Sequence, residues 1–181
     1  MDDLWYALHV RPRFEKFVQT HLEDKGFETF LPTYISTRRW SDRTKSLTLP
    51  LFPSYVFCRF DIRNRLPILV TPGVNFVVGV GKTPIAVDPQ EISSVRHVMM
   101  SGLATQPWPY LKAGEMVEVQ TGPLEGLKGI IVRTKGQERL VVMVTLLMRS
   151  VSVEIDRRWV KPVSEPHKLA PSNFDEMILA G

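Results

Sequence analysis

The sequence predicts an α+β fold in two parts: an N-terminal antiparallel sheet with flanking helices, then a small C-terminal β-barrel. In the first part, consecutive strand-like runs are followed by amphipathic helical stretches, a pattern typical of an antiparallel sheet covered by helices. From Glu115 onward, about five short apolar runs without helical periodicity indicate a barrel. We therefore expect an N-terminal domain at 1–101, a linker at 102–110, a barrel domain at 111–163 and a flexible tail at 164–181.

The composition is that of an ordinary globular chain, with 44% hydrophobic and 23% charged residues among 181. No apolar run approaches the roughly 20 residues that span a bilayer, and the acidic N-terminus lacks the basic region of a signal peptide. We therefore expect a cytoplasmic monomer without a membrane partner. The net charge of +4 permits contact with nucleic acid but does not require it.

The sequence offers no recognisable catalytic or metal-binding pattern. A single cysteine, Cys58, excludes an internal disulfide framework and a cysteine metal cluster. The four histidines are scattered without metal-ligand spacing, and no nucleophile lies in a known motif. We therefore predict no catalytic residue, no metal and no cofactor; an enzyme whose site forms only in three dimensions remains an alternative.

The first elements are a strand at Leu4–Val10 and a helix at 13–25. Apolar residues recur at helical spacing in the second segment, and Gly26 is placed to end it. A strand at 27–35, interrupted by a proline, and a returning strand at 47–51 enclose a polar segment.

That polar segment, residues 37–45, carries four positive charges, one negative charge and Trp40. Its position between two strands predicts the tip of a hairpin. It is either a solvated polar tip or a basic loop that lies beside a nucleic-acid backbone, with the tryptophan able to stack on a base.

The centre of the N-terminal domain is the stretch 49–60, where two prolines and Ser54 precede the strand Tyr55–Phe60. Alternation places Tyr55, Phe57 and Arg59 on one face. Either both faces are buried, or this face is an aromatic surface that meets a partner. A short irregular helix at 61–71, a strand at 74–80 and a helix from Asp88 to about Ser101 follow.

Two motifs resemble those of the NusG-like transcription factors, which pair an N-terminal NGN domain with a C-terminal KOW domain. The resemblance covers about residues 4–163. The NGN motif comprises Trp5-Tyr6, Glu15, Leu51-Phe52-Pro53-x-Tyr55-Val56-Phe57 and Pro72-Gly73-Val74. The KOW motif comprises Gly114-x-x-Val117-x-Val119-x-x-Gly122-Pro123-Leu124-x-Gly126-x-x-Gly129-Ile130, Arg149 and Val153-Glu154-Ile155-Asp156.

This resemblance implies an elongation and antitermination factor that binds the clamp of RNA polymerase through an apolar patch and thereby suppresses pausing. The implied patch consists of Tyr6, His9, Phe52, Tyr55 and Phe57. The residues implied to lie near upstream or non-template DNA are Arg11, Arg13, Arg38, Arg39, Arg43 and Lys45. The residues implied to recruit a further partner through the KOW domain are Leu146, Leu147 and Arg149.

Two departures from the housekeeping pattern favour a specialised paralogue of the RfaH or polysaccharide-operon antiterminator type. Ser54 stands where housekeeping NusG usually has glycine, and Leu147 replaces an aromatic residue offered to Rho or a ribosomal protein. A general elongation factor, or a ribosome-associated or RNA-binding KOW protein, remains the alternative.

Overall fold

The computed structural model describes residues 3–39, 44–110, 114–134 and 136–163. The chain forms two compact units. The N-terminal unit comprises Met1–Gly79 and Pro84–Pro89, and the C-terminal unit comprises Val80–Thr83 and Gln90–Gly181. No helix in the described ranges is long and apolar enough to cross a membrane.

The N-terminal unit is an antiparallel four-stranded sheet with two helices and a separate two-stranded hairpin. The sheet has the order β2-β5-β1-β6, and strands β3 and β4 form a separate two-stranded ladder. The elements are β1 (Leu4–Val10), α1 (Glu15–Asp24), β2 (Glu28–Phe30), β3 (Thr33–Arg39), β4 (Thr44–Pro50), β5 (Tyr55–Phe60), a 3-10 turn (Ile62–Asn64), α2 (Leu66–Leu69) and β6 (Val74–Val77).

The helices cover one face of this sheet, and the core of the unit lies between them. Val18 and Leu22 of α1 and Ile68 of α2 are fully buried in one cluster with Leu8 and Val56 of the sheet. The predicted helix at 13–25 begins two residues late, because Arg13 has a φ of 68°, which lies outside the helical region. Gly26, with a φ of +85°, follows the end of the helix as predicted.

The strand predicted at 27–35 is divided into β2 and β3, which pair with different strands. Pro32 lies between them and has no N–H for a ladder hydrogen bond, while its carbonyl accepts one from the Leu51 N–H at 2.8 Å. Beyond this point β3 and β4 pair from Thr33↔Pro50 to Arg39↔Thr44, which confirms the hairpin. Its tip, residues 40–43, lies outside the described residues.

The strand predicted at 74–80 also ends early, and a short hairpin of β7 (Gly79–Val80) and β8 (Thr83–Pro84) follows β6. Val78, between β6 and β7, donates a hydrogen bond from its N–H to the Ala7 carbonyl of β1 at 2.8 Å. Helix α3 (Pro89–Met100), expected within the N-terminal domain, falls almost entirely in the C-terminal unit.

The C-terminal unit contains an antiparallel six-stranded sheet of order β14-β10-β11-β12-β13-β9. The strands are β9 (Thr105–Trp108), β10 (Glu115–Val119), β11 (Lys128–Thr134), β12 (Gln137–Val144), β13 (Arg149–Glu154) and β14 (Val160–Pro162), with 3-10 turns at Thr145–Leu147 and Arg157–Trp159. The five predicted strands correspond to β10–β14, and together with the N-terminal unit they confirm the predicted α+β fold class.

Strand β9 lies where the sequence predicted a linker. It pairs with β13, with Pro107 opposite Val151. A proline is tolerated there because β9 is at the edge of the sheet, where one side of a strand needs no ladder bond. The linker interpretation is therefore wrong for Thr105–Trp108, while the boundaries of the two domains stay a prediction.

The interior of the C-terminal unit is built from β-branched and leucine side chains, with Val117, Leu140 and Val151 fully buried. Gly129 of β11 allows the strands to approach, since a Cβ there would lie 2.7 Å from the Val141 carbonyl oxygen. The described strands thus bury a dense apolar face, as expected of a small β domain.

Candidate functional site

Three aromatic side chains form a row across neighbouring strands of the N-terminal sheet: Tyr55 of β5, His9 of β1 and Phe76 of β6. In the strand register His9 lies opposite both Tyr55 and Phe76. The imidazole stacks on the Phe76 ring at 4.8 Å with an interplanar angle of 10°, and meets the Tyr55 ring edge-on at 5.4 Å. Phe76 is 51% exposed, and the other two rings are half-buried. We call these three residues the aromatic row.

A β-bulge places a polar side chain beside the aromatic row. The register of β1 and β6 shifts between His9 and Val10: His9 is opposite Phe76, and Val10 is opposite Val74. Asn75 is therefore the extra residue of the bulge. Its side-chain nitrogen Nδ2 lies 3.0 Å from His9 Nδ1. The bulge thus places Asn75 at the edge of the imidazole, where it contacts Nδ1. The rings of Phe76 and Tyr55 on either side restrict the tilt of the imidazole plane.

The other residues of the predicted patch are buried, which corrects the expected extent of the exposed face. Phe52 is 1% exposed and Phe57 is fully buried. The Phe57 ring contacts the Phe52 ring edge-on at 5.6 Å and stacks on Phe30 at 6.1 Å. Tyr6 is 5% exposed and lies in the core cluster, 4.9 Å from the ring of Phe60. These three residues support the sheet and offer no free surface.

Burial on both faces therefore holds for most of β5, where Arg59 is the exposed residue and Tyr55 is half-buried. Burial raises the pKa of the Cys58 thiol to about 12, so this group is an inert thiol at neutral pH. Burial also raises the pKa of the Tyr6 hydroxyl. Both pKa shifts arise mainly because these two side chains are buried in the core that packs on the sheet.

Phe76 is the member of the aromatic row that sequence reasoning missed. Its strand was recognised from β-branched content alone, and nothing in that segment identifies the neighbouring strand. The alternation of Val74, Phe76 and Val78 would have placed Phe76 on a defined face only if the pairing with β1 and the bulge had been known. The missing information was the long-range register.

The turn before Tyr55 is held by a buried carboxylate. Ser54 has a φ of 68°, and its N–H donates to Glu15 Oε1 at 2.8 Å. The Ser54 carbonyl accepts a hydrogen bond from the Val10 N–H at 2.9 Å. Glu15 begins α1 and is 8% exposed. The turn, the first helix and the end of β1 are therefore tied together where Tyr55 and His9 emerge.

The predicted nucleic-acid contacts fall on two connections of the N-terminal unit. Arg11 and Arg13 are exposed in the connection between β1 and α1, two and four residues after His9, and neither guanidinium has an ion-pair partner among the described residues. Arg38 lies opposite Lys45 in the hairpin ladder, and Arg39 lies opposite Thr44. Arg43 lies outside the described residues.

The predicted partner-binding residues of the C-terminal unit lie at the connection of β12 and β13. Leu147 is 8% exposed, Leu146 is half-buried, and Arg149 is exposed. Leu147 therefore serves the interior, which corrects its expected place on the surface. Met148, which sequence reasoning missed, is 40% exposed and has a left-handed φ of 49°.

This connection is braced by Glu91 of α3. The Glu91 carboxylate accepts hydrogen bonds from the Thr145 N–H at 3.1 Å and from its hydroxyl Oγ1 at 2.6 Å. Six residues further along the helix, His97 Nε2 lies 3.0 Å from the Pro123 carbonyl oxygen, to which it donates. Helix α3 is thus attached by hydrogen bonds to the connections β10–β11 and β12–β13.

Charged side chains elsewhere form local surface pairs. A polar cavity of about 480 Å³ contains the ion pair of Arg59 and Glu28 (3.3 Å) and Asp61, whose pKa is lowered by hydrogen bonds from Arg63. In the same way, hydrogen bonds from Arg158 lower the pKa of Asp156 to about 2. Within the described ranges, no group of three or more histidine, cysteine or acidic residues could hold a metal ion.

Comparison with known proteins places this architecture among transcription factors. The family model described as "Transcription termination factor nusG" matches residues 3–96. The protein named "Transcription termination/antitermination protein NusG" from Thermus thermophilus is 28% identical over 176 residues, which cover 84% of this chain and 94% of that protein. The protein of the same name from Deinococcus radiodurans is 28% identical over 182 residues, covering 84% and 95%.

A solved structure titled "Domain interaction in Thermotoga maritima NusG" shares the fold. Its TM-score is 0.51 at 22% sequence identity, and the alignment covers 90% of this chain and 98% of that one.

Proposed function

The chain belongs to the NusG family of transcription termination and antitermination factors, and from this we propose that it binds the clamp of RNA polymerase through the aromatic row. The observation that supports this proposal most directly is an aromatic surface formed by the half-buried rings of Tyr55 and His9 and the exposed ring of Phe76. Aromatic side chains supply large contact area with few rotatable bonds, which is why they dominate the energetic centres of interfaces.

The mechanism we propose is a shift in population. A protein that binds the closed clamp more tightly than the open clamp stabilises the closed state by that difference in affinity. Pausing is then reduced without any covalent step. The ties among Glu15, Ser54 and Val10 support such a role because they hold the two strand ends that carry Tyr55 and His9 before any partner binds.

The test is the affinity of the full chain for core RNA polymerase after the double substitution Tyr55→Ala and Phe76→Ala. We expect a loss of at least about tenfold, since truncated aromatic anchors each cost on the order of 1–2 kcal/mol. The matched control is Phe17→Ala, which removes an aromatic ring of α1 that is 42% exposed. Wild-type affinity in the double variant, or an equal loss in the control, would reject the aromatic row as the docking site.

We further propose that the basic residues near β1 and in the hairpin contact the phosphates of upstream or non-template DNA. Arg11 and Arg13 support this because they are exposed and have no ion-pair partner in the described part of the chain. The C-terminal unit would recruit its partner at the connection of β12 and β13, with Leu146, Met148 and Arg149 as the accessible residues.

A specialised paralogue is the type we propose. The backbone of Ser54 is left-handed, a conformation that glycine adopts without strain, so serine there is a departure held by Glu15. Leu147 is buried and presents no ring to Rho or a ribosomal protein. Mapping the protein on the genome during transcription tests this: occupancy of one or a few operons is expected, and uniform occupancy would support a general elongation factor.

A further inference from the structure

The aromatic row contains one imidazole, and the placement of the neighbouring Asn75 amide assigns a tautomer to it. Asn75 Nδ2 lies 3.0 Å from His9 Nδ1. An amide nitrogen donates hydrogen bonds and does not accept them, so Nδ1 must be the acceptor. The neutral imidazole therefore carries its proton on Nε2.

This Nε2–H is a fixed donor within an otherwise apolar surface. In the described part of the chain, no residue accepts a hydrogen bond from His9 Nε2. Rotation of the ring is restrained on one side by stacking on Phe76 and on the other by the edge contact with Tyr55. The donor is thus held in place before a partner arrives.

A partner that covers the aromatic row must satisfy this donor. Removing water from an N–H without providing an acceptor costs free energy that would offset the gain from the buried rings. The nearby charge favours an anionic acceptor, because Arg11 and Arg13 are exposed and lack ion-pair partners among the residues described.

We propose, on the premise of the function proposed above, that the polymerase surface covering the aromatic row presents a carboxylate that accepts a hydrogen bond from His9 Nε2. His9 and Asn75 then determine specificity, since the pair distinguishes an apolar partner surface with an acidic side chain at its centre from one without it. Asn75 is a positioning residue because it acts through the orientation of His9.

The first test concerns the full chain alone and does not depend on a partner. Nitrogen-15 NMR of the histidine rings reports which nitrogen of neutral His9 is protonated. We expect protonation at Nε2 in the wild type and a mixture of tautomers in Asn75→Ala, with the backbone amide spectrum confirming that the variant is folded. Protonation of neutral His9 at Nδ1 in the wild type would overturn the assignment.

The second test measures affinity for core RNA polymerase. His9→Phe keeps a ring against Phe76 but removes the donor, and we expect about a tenfold loss of affinity. The matched control is His21→Phe, since the His21 ring also packs against a phenylalanine ring, that of Phe17 at 3.9 Å, but lies on α1. His21→Phe is expected to bind as the wild type does.

A third variant distinguishes a carboxylate from a neutral acceptor. His9→Arg can stack on Phe76 and donate to a carboxylate, so we expect near-wild-type affinity at low salt and a steeper decrease with salt than in the wild type. If His9→Arg binds with the same salt dependence as the wild type, the proposal that the acceptor is a carboxylate is overturned.

The outcomes separate this inference from the proposed function. If Tyr55→Ala with Phe76→Ala abolishes binding while His9→Phe binds as the wild type does, the docking site stands and the acceptor is rejected. If the double variant binds normally, the docking site itself is rejected, and the acceptor opposite His9 is rejected with it.

Discussion

At Ser54 the backbone is left-handed, with a φ of 68°, a conformation that costs a non-glycine residue free energy. The cost is offset locally because the Ser54 N–H donates to the buried Glu15 carboxylate at 2.8 Å. One side chain of α1 therefore determines where β5 begins and hence where Tyr55 lies. A similar dependence holds at His9, where the bulged residue Asn75 contacts the imidazole Nδ1 while Phe76 and Tyr55 flank the ring.

Replacing Glu15 tests this coupling at the scale of a single residue. Glu15→Ala leaves the Ser54 N–H without its acceptor, and we expect a loss of about 1–3 kcal/mol in the free energy of unfolding. Glu15→Gln keeps a side-chain oxygen and is expected to lose about half as much. Urea denaturation measures both, with Asp24→Ala as the control because Asp24 is an exposed acid of the same helix. Equal stability of Glu15→Ala and the control would contradict the role of Glu15 in holding the left-handed turn at Ser54.

At the scale of elements, β3 and β4 form a two-stranded ladder of their own, separate from the four-stranded sheet. Its register pairs Arg38 with Lys45 and Arg39 with Thr44, so three basic residues of the sequence fall on one ladder. A cluster of basic residues in one hairpin favours an anionic partner. The DNA phosphates proposed above as a contact of these residues are such a partner.

Removing three hairpin cations should change how DNA binding depends on salt. We expect the triple variant Arg38→Gln, Arg39→Gln and Lys45→Gln to bind duplex DNA more weakly, with a salt slope shallower by up to about three, since each phosphate contact contributes roughly one. Fluorescence anisotropy over a range of salt concentrations measures the slope.

The chain offers a control with the same change in charge. Arg63, Arg157 and Arg158 are paired with Asp61, Glu115 and Asp156, so their replacement by glutamine removes three cations away from the hairpin. The control should keep the wild-type slope. If both triple variants change the slope equally, net charge and not the hairpin accounts for the binding.

At the scale of the whole molecule, predictability from sequence follows the range of the interactions. The bounds of β1 and β5 were predicted correctly because alternation and flanking prolines are local signals. The pattern of β5 left burial of Phe57 open while the family resemblance implied an exposed patch, because its burial depends on rings from two other segments, Phe30 and Phe52. Phe76 was missed because its place beside His9 depends on the register of two strands more than sixty residues apart in sequence.

The domain to which α3 belongs could not be predicted from sequence for the same reason, because its contacts join distant parts of the chain. Helical spacing predicts the helix itself, but the spacing says nothing about which unit it packs in. The Glu91 carboxylate accepts a hydrogen bond from Thr145, 54 residues later in the sequence. His97 donates one to the carbonyl of Pro123, 26 residues later. These bonds attach the helix to the C-terminal unit, although the sequence places it before the predicted linker.

Cutting the chain at two places tests which unit the helix stabilises. Fragment 88–163 keeps α3, whereas fragment 102–163 begins at the predicted linker and lacks Glu91 and His97. We expect fragment 88–163 to be more stable by at least about 2 kcal/mol, because fragment 102–163 loses hydrogen bonds to a carboxylate and the buried apolar face of the helix. Denaturant unfolding of the two fragments measures the difference, and Glu91→Gln in the longer fragment should reproduce part of the loss. Equal stability would mean that α3 contributes nothing to the C-terminal unit and that the division at residue 101 is the physical one.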